Sequence, residues 1–253
     1  MKYMGSKNRI AKFVLLIMIK EANEKGITTW VEPFVGGANM IDKVPSDFQR
    51  IGIDYNEYLI AMWNEIMNGW LPPDFVSEEE WKDVREKMDT KYEKHYIGFV
   101  RLCCSFGADW NGGYARNVKK DKPDAELLNS TTKSYCRQSK NNILKQLPNL
   151  QGVKFINGSY DEYSDFENCL IYCDPPYKGT TSYKTGAFDH NKFWQWCRDM
   201  SKKNVVFVSE YEAPDDFICV WQGEIKTNFA SQRDEATHKA VEKLFKFSPT
   251  NVQ

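Results

Sequence analysis

No stretch of eighteen uninterrupted apolar residues occurs in the 253-residue chain, and its run FVLLIMI, flanked by Lys12 and Lys20, is too short to cross a bilayer. Lysines ahead of that run give it the look of a signal peptide's start. No small-residue cleavage site follows, and EANEKG reads as a helix end, so the expectation is a cytoplasmic protein with no membrane partner. Histidine is scarce. His95, His190 and His238 are far apart with no ligand spacing, which points to neither a metal site nor a Ser-His triad. The seven cysteines are odd in number, form no CxxC pair and include the adjacent Cys103 and Cys104. Buried thiols in a reducing compartment are expected rather than a disulfide framework or a zinc site. Repeats and low-complexity tracts are also lacking.

Aromatic residues are plentiful. Eight tryptophans, thirteen tyrosines and a hydrophobic content of 42% argue against disorder, and the length suits one substantial core with an inserted subdomain. Net charge is close to zero, with 34 basic and 35 acidic residues, so the sum says nothing for nucleic acid. Its distribution says more. From Arg101 to Lys145 nine basic residues stand against four acidic ones, and the first twenty residues carry five basic residues and no acid. Asp74 to Glu93, rich in Glu and Lys, reads instead as a solvated helical face.

The order of elements follows from periodicity. A helix is expected near 7–24, a short strand in TTWVEPF, a glycine turn in VGGAN, a strand in RIGID (50–54) and a helix from Tyr58 to Met67. Helical patterns with polar loops fill much of 75–147. Strand signals return in VKFINGS, CLIYCD and NVVFVSE and, more weakly, in DFICVWQ and AVEKLFKF, with helical spacing in HNKFWQWCRDMSKK. Strands alternating with helices predict an α/β fold, a mostly parallel sheet covered by helices on both faces. The helical excursion at 58–145 reads as an inserted lobe in a domain made of 1–57 and 146–253.

In an open parallel sheet, ligands bind outside the carboxyl ends of the strands, and three such ends carry suitable residues. The first is Glu32-Pro33-Phe34-Val35-Gly36-Gly37, where glycines let backbone approach a ligand closely. The second is Asp54, an acid about twenty residues on, suited to ribose hydroxyls. The third is Asp174-Pro175-Pro176-Tyr177, after the apolar run Leu170 to Cys173. Singly, the glycines could serve only to turn the chain, Asp54 to cap a helix and the prolines to end a strand. Their ordered conjunction favours a site.

KYMGSKNRI, VEPFVGGAN, IGIDYNEYLI and YCDPPY, in that order, resemble the Dam-like, D12 class of DNA adenine-N6 methyltransferases, and SFGADWNGGYARN, FWQWCRDM and VFVSEY resemble its phage and prophage branch. The resemblance implies a Rossmann-like fold with S-adenosylmethionine as donor, S-adenosylhomocysteine as product and no metal. It implies that Asp174 and the Pro175 carbonyl accept hydrogen bonds from the adenine amino group, that Pro176 stiffens the turn and that Tyr177 stacks on the base. Tyr3, Met4, Lys7, Pro33, Phe34, Gly36, Gly37, Asp54, Tyr55, Ser159, Tyr160 and Asp174 are the implied cofactor residues. Double-stranded DNA is the implied partner, with a cognate restriction nuclease as a further one. Target recognition is expected near 105–140, where Trp110, Asn111, Tyr114, Arg116, Lys119 and Lys120 mix aromatic, amide and basic groups. Ala115 departs from the family's pattern, so no particular target sequence follows. Cytosine-N4 methylation, an RNA substrate and a non-catalytic DNA-binding protein of the same fold remain alternatives.

Overall fold

The computed structural model describes residues 1–116, 135–177, 188–226 and 239–248. Among the described residues there are seven strands: β1 (Thr29–Glu32), β2 (Gln49–Asp54), β3 (Val153–Asn157), β4 (Leu170–Cys173), β5 (Val205–Glu210), β6 (Phe217–Lys226) and β7 (Lys239–Phe247). They form one sheet in the order β3-β2-β1-β4-β5-β7-β6. β4 runs parallel to β1, with Trp30 opposite Leu170, and parallel to β5, with Leu170 opposite Val205. β7 lies antiparallel to β5 and to β6. The result is the expected mixed, mostly parallel Rossmann-like sheet. Every residue of β4 and β5 is buried, which is why LIYC and VVFVSE read as continuous rather than alternating apolar runs.

The α-helices among the described residues are α1 (Ala11–Glu24), α2 (Glu57–Met67), α3 (Glu78–Glu86), α4 (Met88–Lys91), α5 (Lys94–Cys103), α6 (Tyr135–Gln146) and α7 (His190–Met200). Side-chain caps fix three starts. Asn56 accepts from the amides of Tyr58 and Leu59, Ser77 from Glu80, and Asp189 from Lys192. α1 has no such cap. The helix expected from residue 7 instead begins as a 3-10 turn, Lys7–Arg9, closed by Ile10 N–H on the Lys7 carbonyl at 3.0 Å. Among the described residues no helix is long and apolar enough to cross a membrane.

Two compact units divide the chain. The first comprises Met1–Ser6, Val35–Lys43 and Gly52–Gly158, and contains the whole 58–145 excursion. Trp63 stacks on Phe155 at 5.5 Å, and α2 packs on α5 so closely that a β-carbon on Gly98 would lie 2.2 Å from the Tyr58 carbonyl oxygen. The second comprises Lys7–Phe34, Val44–Ile51 and Ser159–Gln253. Its fully buried side chains include Trp30, Tyr172, Phe193, Phe207 and Met18.

Candidate active site

In the first unit, the glycine turn after β1 and the acid ending β2 are tied together. Gly36 takes a left-handed conformation at φ +47°, open to glycine at little cost, and its amide donates to Asp54 Oδ2 at 2.9 Å. The Asn56 amide donates to Asp54 Oδ1 at 2.9 Å. Two backbone donors thus orient a carboxylate that keeps lone pairs for further partners. Burial raises the Asp54 carboxyl above its ordinary value, and the two amides oppose that rise. Tyr3 lies flat against the turn. A β-carbon on Gly36 would come within 2.7 Å of the Tyr3 ring, and one on Gly37 within 2.6 Å of the Tyr3 β-carbon. Trp63 Nε1 donates to the Gly36 carbonyl at 3.1 Å. Met4 and Tyr55 are exposed. Gln146, which the sequence did not single out, donates from Nε2 to the Gly37 and Ala38 carbonyls at 3.1 and 2.7 Å and accepts from the amino terminus. No local signal marks it, since its partners are more than a hundred residues away along the chain.

In the second unit, Asp174 emerges from β4 into a buried charge cluster. Lys7 Nζ stands 3.1 Å from Asp174 Oδ1 and 3.5 Å from Glu242 Oε2, and 4.3 Å from the centre of the Tyr177 ring. The Tyr177 hydroxyl donates to Glu242 Oε2 at 2.7 Å, and its ring meets Tyr211 edge-on at 4.6 Å. Burial pushes the Asp174 carboxyl up to about 6; Lys7 works against this and the Glu242 charge with it. Burial opposes the Lys7 charge, yet the two carboxylates outweigh it and raise the ammonium's pKa above its ordinary value. Glu242 escaped the sequence reading because AVEKLFKF registers only as a strand, and an acid inside a strand carries no local signature.

The same unit holds an aromatic group. Phe34, which follows the buried Pro33, packs on Tyr160, Phe188 and Phe193 with ring centres 5.5, 5.9 and 5.7 Å away. Tyr160 also meets Trp196 at 5.3 Å. The Trp196 indole N–H is buried without a hydrogen-bond partner among the described residues, an open donor that costs stability until something accepts it. Ser159 begins the 3-10 turn carrying Tyr160 and forms a capping box with Glu162.

The described candidates for DNA contact are mostly engaged locally. The Trp110 ring lies tilted against Tyr58, centres 5.2 Å apart, under the Arg101 guanidinium. The Tyr114 hydroxyl donates to the Val76 carbonyl at 2.7 Å, and Arg116 donates through two nitrogens to Glu78 at 2.9 and 2.6 Å. Asn111 is exposed, its amide held by Asp109. A Ser105–Tyr114 bridge closes this loop. Lys119 and Lys120 lie outside the described residues, as do Lys178 to Gly186, Arg233 and His238. No group of three or more His, Cys, Asp or Glu side chains is placed to hold a metal among the described residues.

Residues 3–210 match the model of the D12 class N6 adenine-specific DNA methyltransferases, and the chain belongs to that family. It is 27% identical to the type II methyltransferase M.MjaIII of Methanocaldococcus jannaschii, over 74% of this chain and 71% of that protein. Among solved structures it is similar to HI0767 of Haemophilus influenzae, described as a candidate methylase, with 8% identity, a TM-score of 0.37 and coverage of 92% of this chain and 87% of that one. A second, SMU.472, described as a candidate methyltransferase and solved with S-adenosylhomocysteine, shares 10% identity at a TM-score of 0.35 over 98% of this chain and 54% of that one. The protein is therefore an enzyme that methylates adenine N6 in DNA, with S-adenosylmethionine as donor.

Proposed function

We propose that this activity is exerted on an adenine rotated out of the duplex, with Asp174 and the Pro175 carbonyl as the acceptors of its two amino hydrogens. The supporting observation is the Asp174 cluster: a carboxylate at the end of a fully buried strand, paired with an ammonium and flanked by Tyr177. The adenine amino nitrogen is a weak nucleophile because its lone pair is delocalised into the ring. Two fixed acceptors favour a pyramidal nitrogen and stabilise the positive charge that develops on it. Prolines at 175 and 176 restrict the turn, so the acceptors are positioned before substrate arrives. Ionised Asp174 is the competent form, since only a carboxylate accepts without also donating. Tyr177 offers its ring to the base. Extrusion costs about a few kcal/mol of lost stacking and pairing, which contacts outside the pocket offset.

For the donor, Asp54 has lone pairs left for ribose hydroxyls, the buried Gly36-Gly37 turn lets Tyr3 pack where β-carbons would otherwise stand, and the aromatic group around Phe34 and Tyr160 includes the orphaned Trp196 donor. In the first unit the acid suits ribose hydroxyls, and in the second the aromatic group suits an adenine ring. Tyr3, Met4, Lys7, Pro33, Tyr55 and Ser159 complete that assignment. Bound there, S-adenosylmethionine supplies an electrophilic methyl group on a sulfonium. The 58–145 excursion acts as the lobe that recognises the target, with Asn111 and the lysines after Arg116 as its DNA contacts, inside the cytoplasm where a nuclease of matching specificity would act as partner. The test is incubation of the pure protein with labelled cofactor and unmethylated genomic DNA, followed by digestion to nucleosides and sequencing of modified positions. N6-methyldeoxyadenosine at a recurrent short sequence supports the reading. N4-methylcytosine, or label at random adenines, contradicts it.

A further inference from the structure

Resting on the reading of Asp174 just given, we propose that Glu242 is a positioning residue for methyl transfer: it draws the Lys7 ammonium away from Asp174 and holds Tyr177 by its hydroxyl, freeing Asp174 to receive the substrate amino group. The difficulty it resolves is plain from the distances. The carboxylate that must accept an amino hydrogen already carries an ammonium at 3.1 Å. Lys7 is only 6% exposed, so leaving that partner without another would strand a buried charge, a costly state. Glu242 Oε2 stands at 3.5 Å, already an ion pair though longer than that to Asp174. A small displacement of the ammonium completes the exchange with no charge left alone.

Glu242 is itself buried on β7 and accepts the Tyr177 hydroxyl on the same oxygen. Lysine, tyrosine and carboxylate are thus joined, and the ring that would face the base is held by the group that takes the ammonium. The other charged or titratable groups around Asp174 come from neighbouring strands. Glu32 ends β1 and accepts from Trp30 Nε1; Glu210 ends β5 and accepts from the Tyr211 amide; Tyr172 on β4 is bonded to Ser209. Each has a hydrogen bond of its own, and Glu242 is the acid placed at ion-pair distance from Lys7 beside Asp174 among the described contacts.

The test compares wild type, Glu242→Gln, Glu242→Asp and Asp174→Asn for kcat and kcat/KM against pH on duplex DNA, with thermal melting of each. In Glu242→Gln, Lys7 stays on Asp174 and kcat falls about tenfold at the plateau, while loss of the facing negative charge moves the acid limb of kcat/KM to lower pH by about one pH unit. Glu242→Asp retains the charge and gives an intermediate kcat with the limb in place. Wild-type kcat and limb in Glu242→Gln overturn the proposal, as does a fall in kcat with an unmoved limb, the mark of lost packing alone. Should Glu242→Gln fail to fold, Glu242→Asp decides: an intermediate kcat supports the role and a wild-type kcat overturns it. Asp174→Asn separates the two levels. If it is inactive while Glu242→Gln behaves as wild type, only the Glu242 role fails; if it is active, the reading beneath fails too.

Discussion

In the reading proposed for the site, one carboxylate, Asp174, would carry both the chemistry and its pH dependence. Its carboxyl is raised to about 6 by burial, so in the free enzyme a substantial fraction is protonated in mildly acidic solution. The competent form is ionised, and kcat/KM is therefore expected to rise with pH through an acid limb near 6. A limb near 4, where an exposed aspartate titrates, would contradict the burial argument. Stability follows the opposite course. Because the native state holds this proton more tightly than the unfolded chain, the Asp174 contribution falls as pH rises from the ordinary carboxylate value toward about 6. Asp174→Asn is expected to flatten denaturant midpoints across that window relative to wild type.

At the level of elements, close approach of α2 and α5 is the most demanding feature. A β-carbon on Gly98 would sit 2.2 Å from a backbone oxygen of α2, and backbone cannot step aside as a side chain can. Gly98→Ala is expected to destabilise the protein by about 1–3 kcal/mol, read as a lower urea midpoint; an unchanged midpoint would mean that the helices are not so close. Neither this contact nor the Gln146 clamp was legible in the sequence, since both join segments distant along the chain. What was legible is local. Continuous apolar runs located β4 and β5, and RIGID located β2 and Asp54 at its end, whereas the cap of the following helix, offered to Asp54 by the sequence, is Asn56. The order of glycine turn, acid and DPPY pointed to the site before any distance was known. Lys7 was expected near the cofactor, yet its pairing with Asp174 and Glu242 depends on β7, whose pattern says only that it is a strand.

For the whole molecule, near-neutral net charge means that DNA binding depends on where the charges lie rather than on their sum. If the segment after Arg116 grips phosphates, replacing Lys119 and Lys120 with alanine weakens affinity and reduces the slope of log K against log salt by about 2, measured by titration at several salt concentrations. An unchanged slope removes those lysines from the interface. Arg116 itself is paired with Glu78 in the free protein, so it reaches DNA only if that pair opens. The account as a whole is tested most directly by the rate of N6-methyladenine formation in genomic DNA by Asp174→Asn, beside wild type and with matched thermal melting. The expected result is a folded protein that binds cofactor and DNA but is at least about a thousandfold slower. Near-normal turnover in an equally stable variant would show that Asp174 does not hold the amino group.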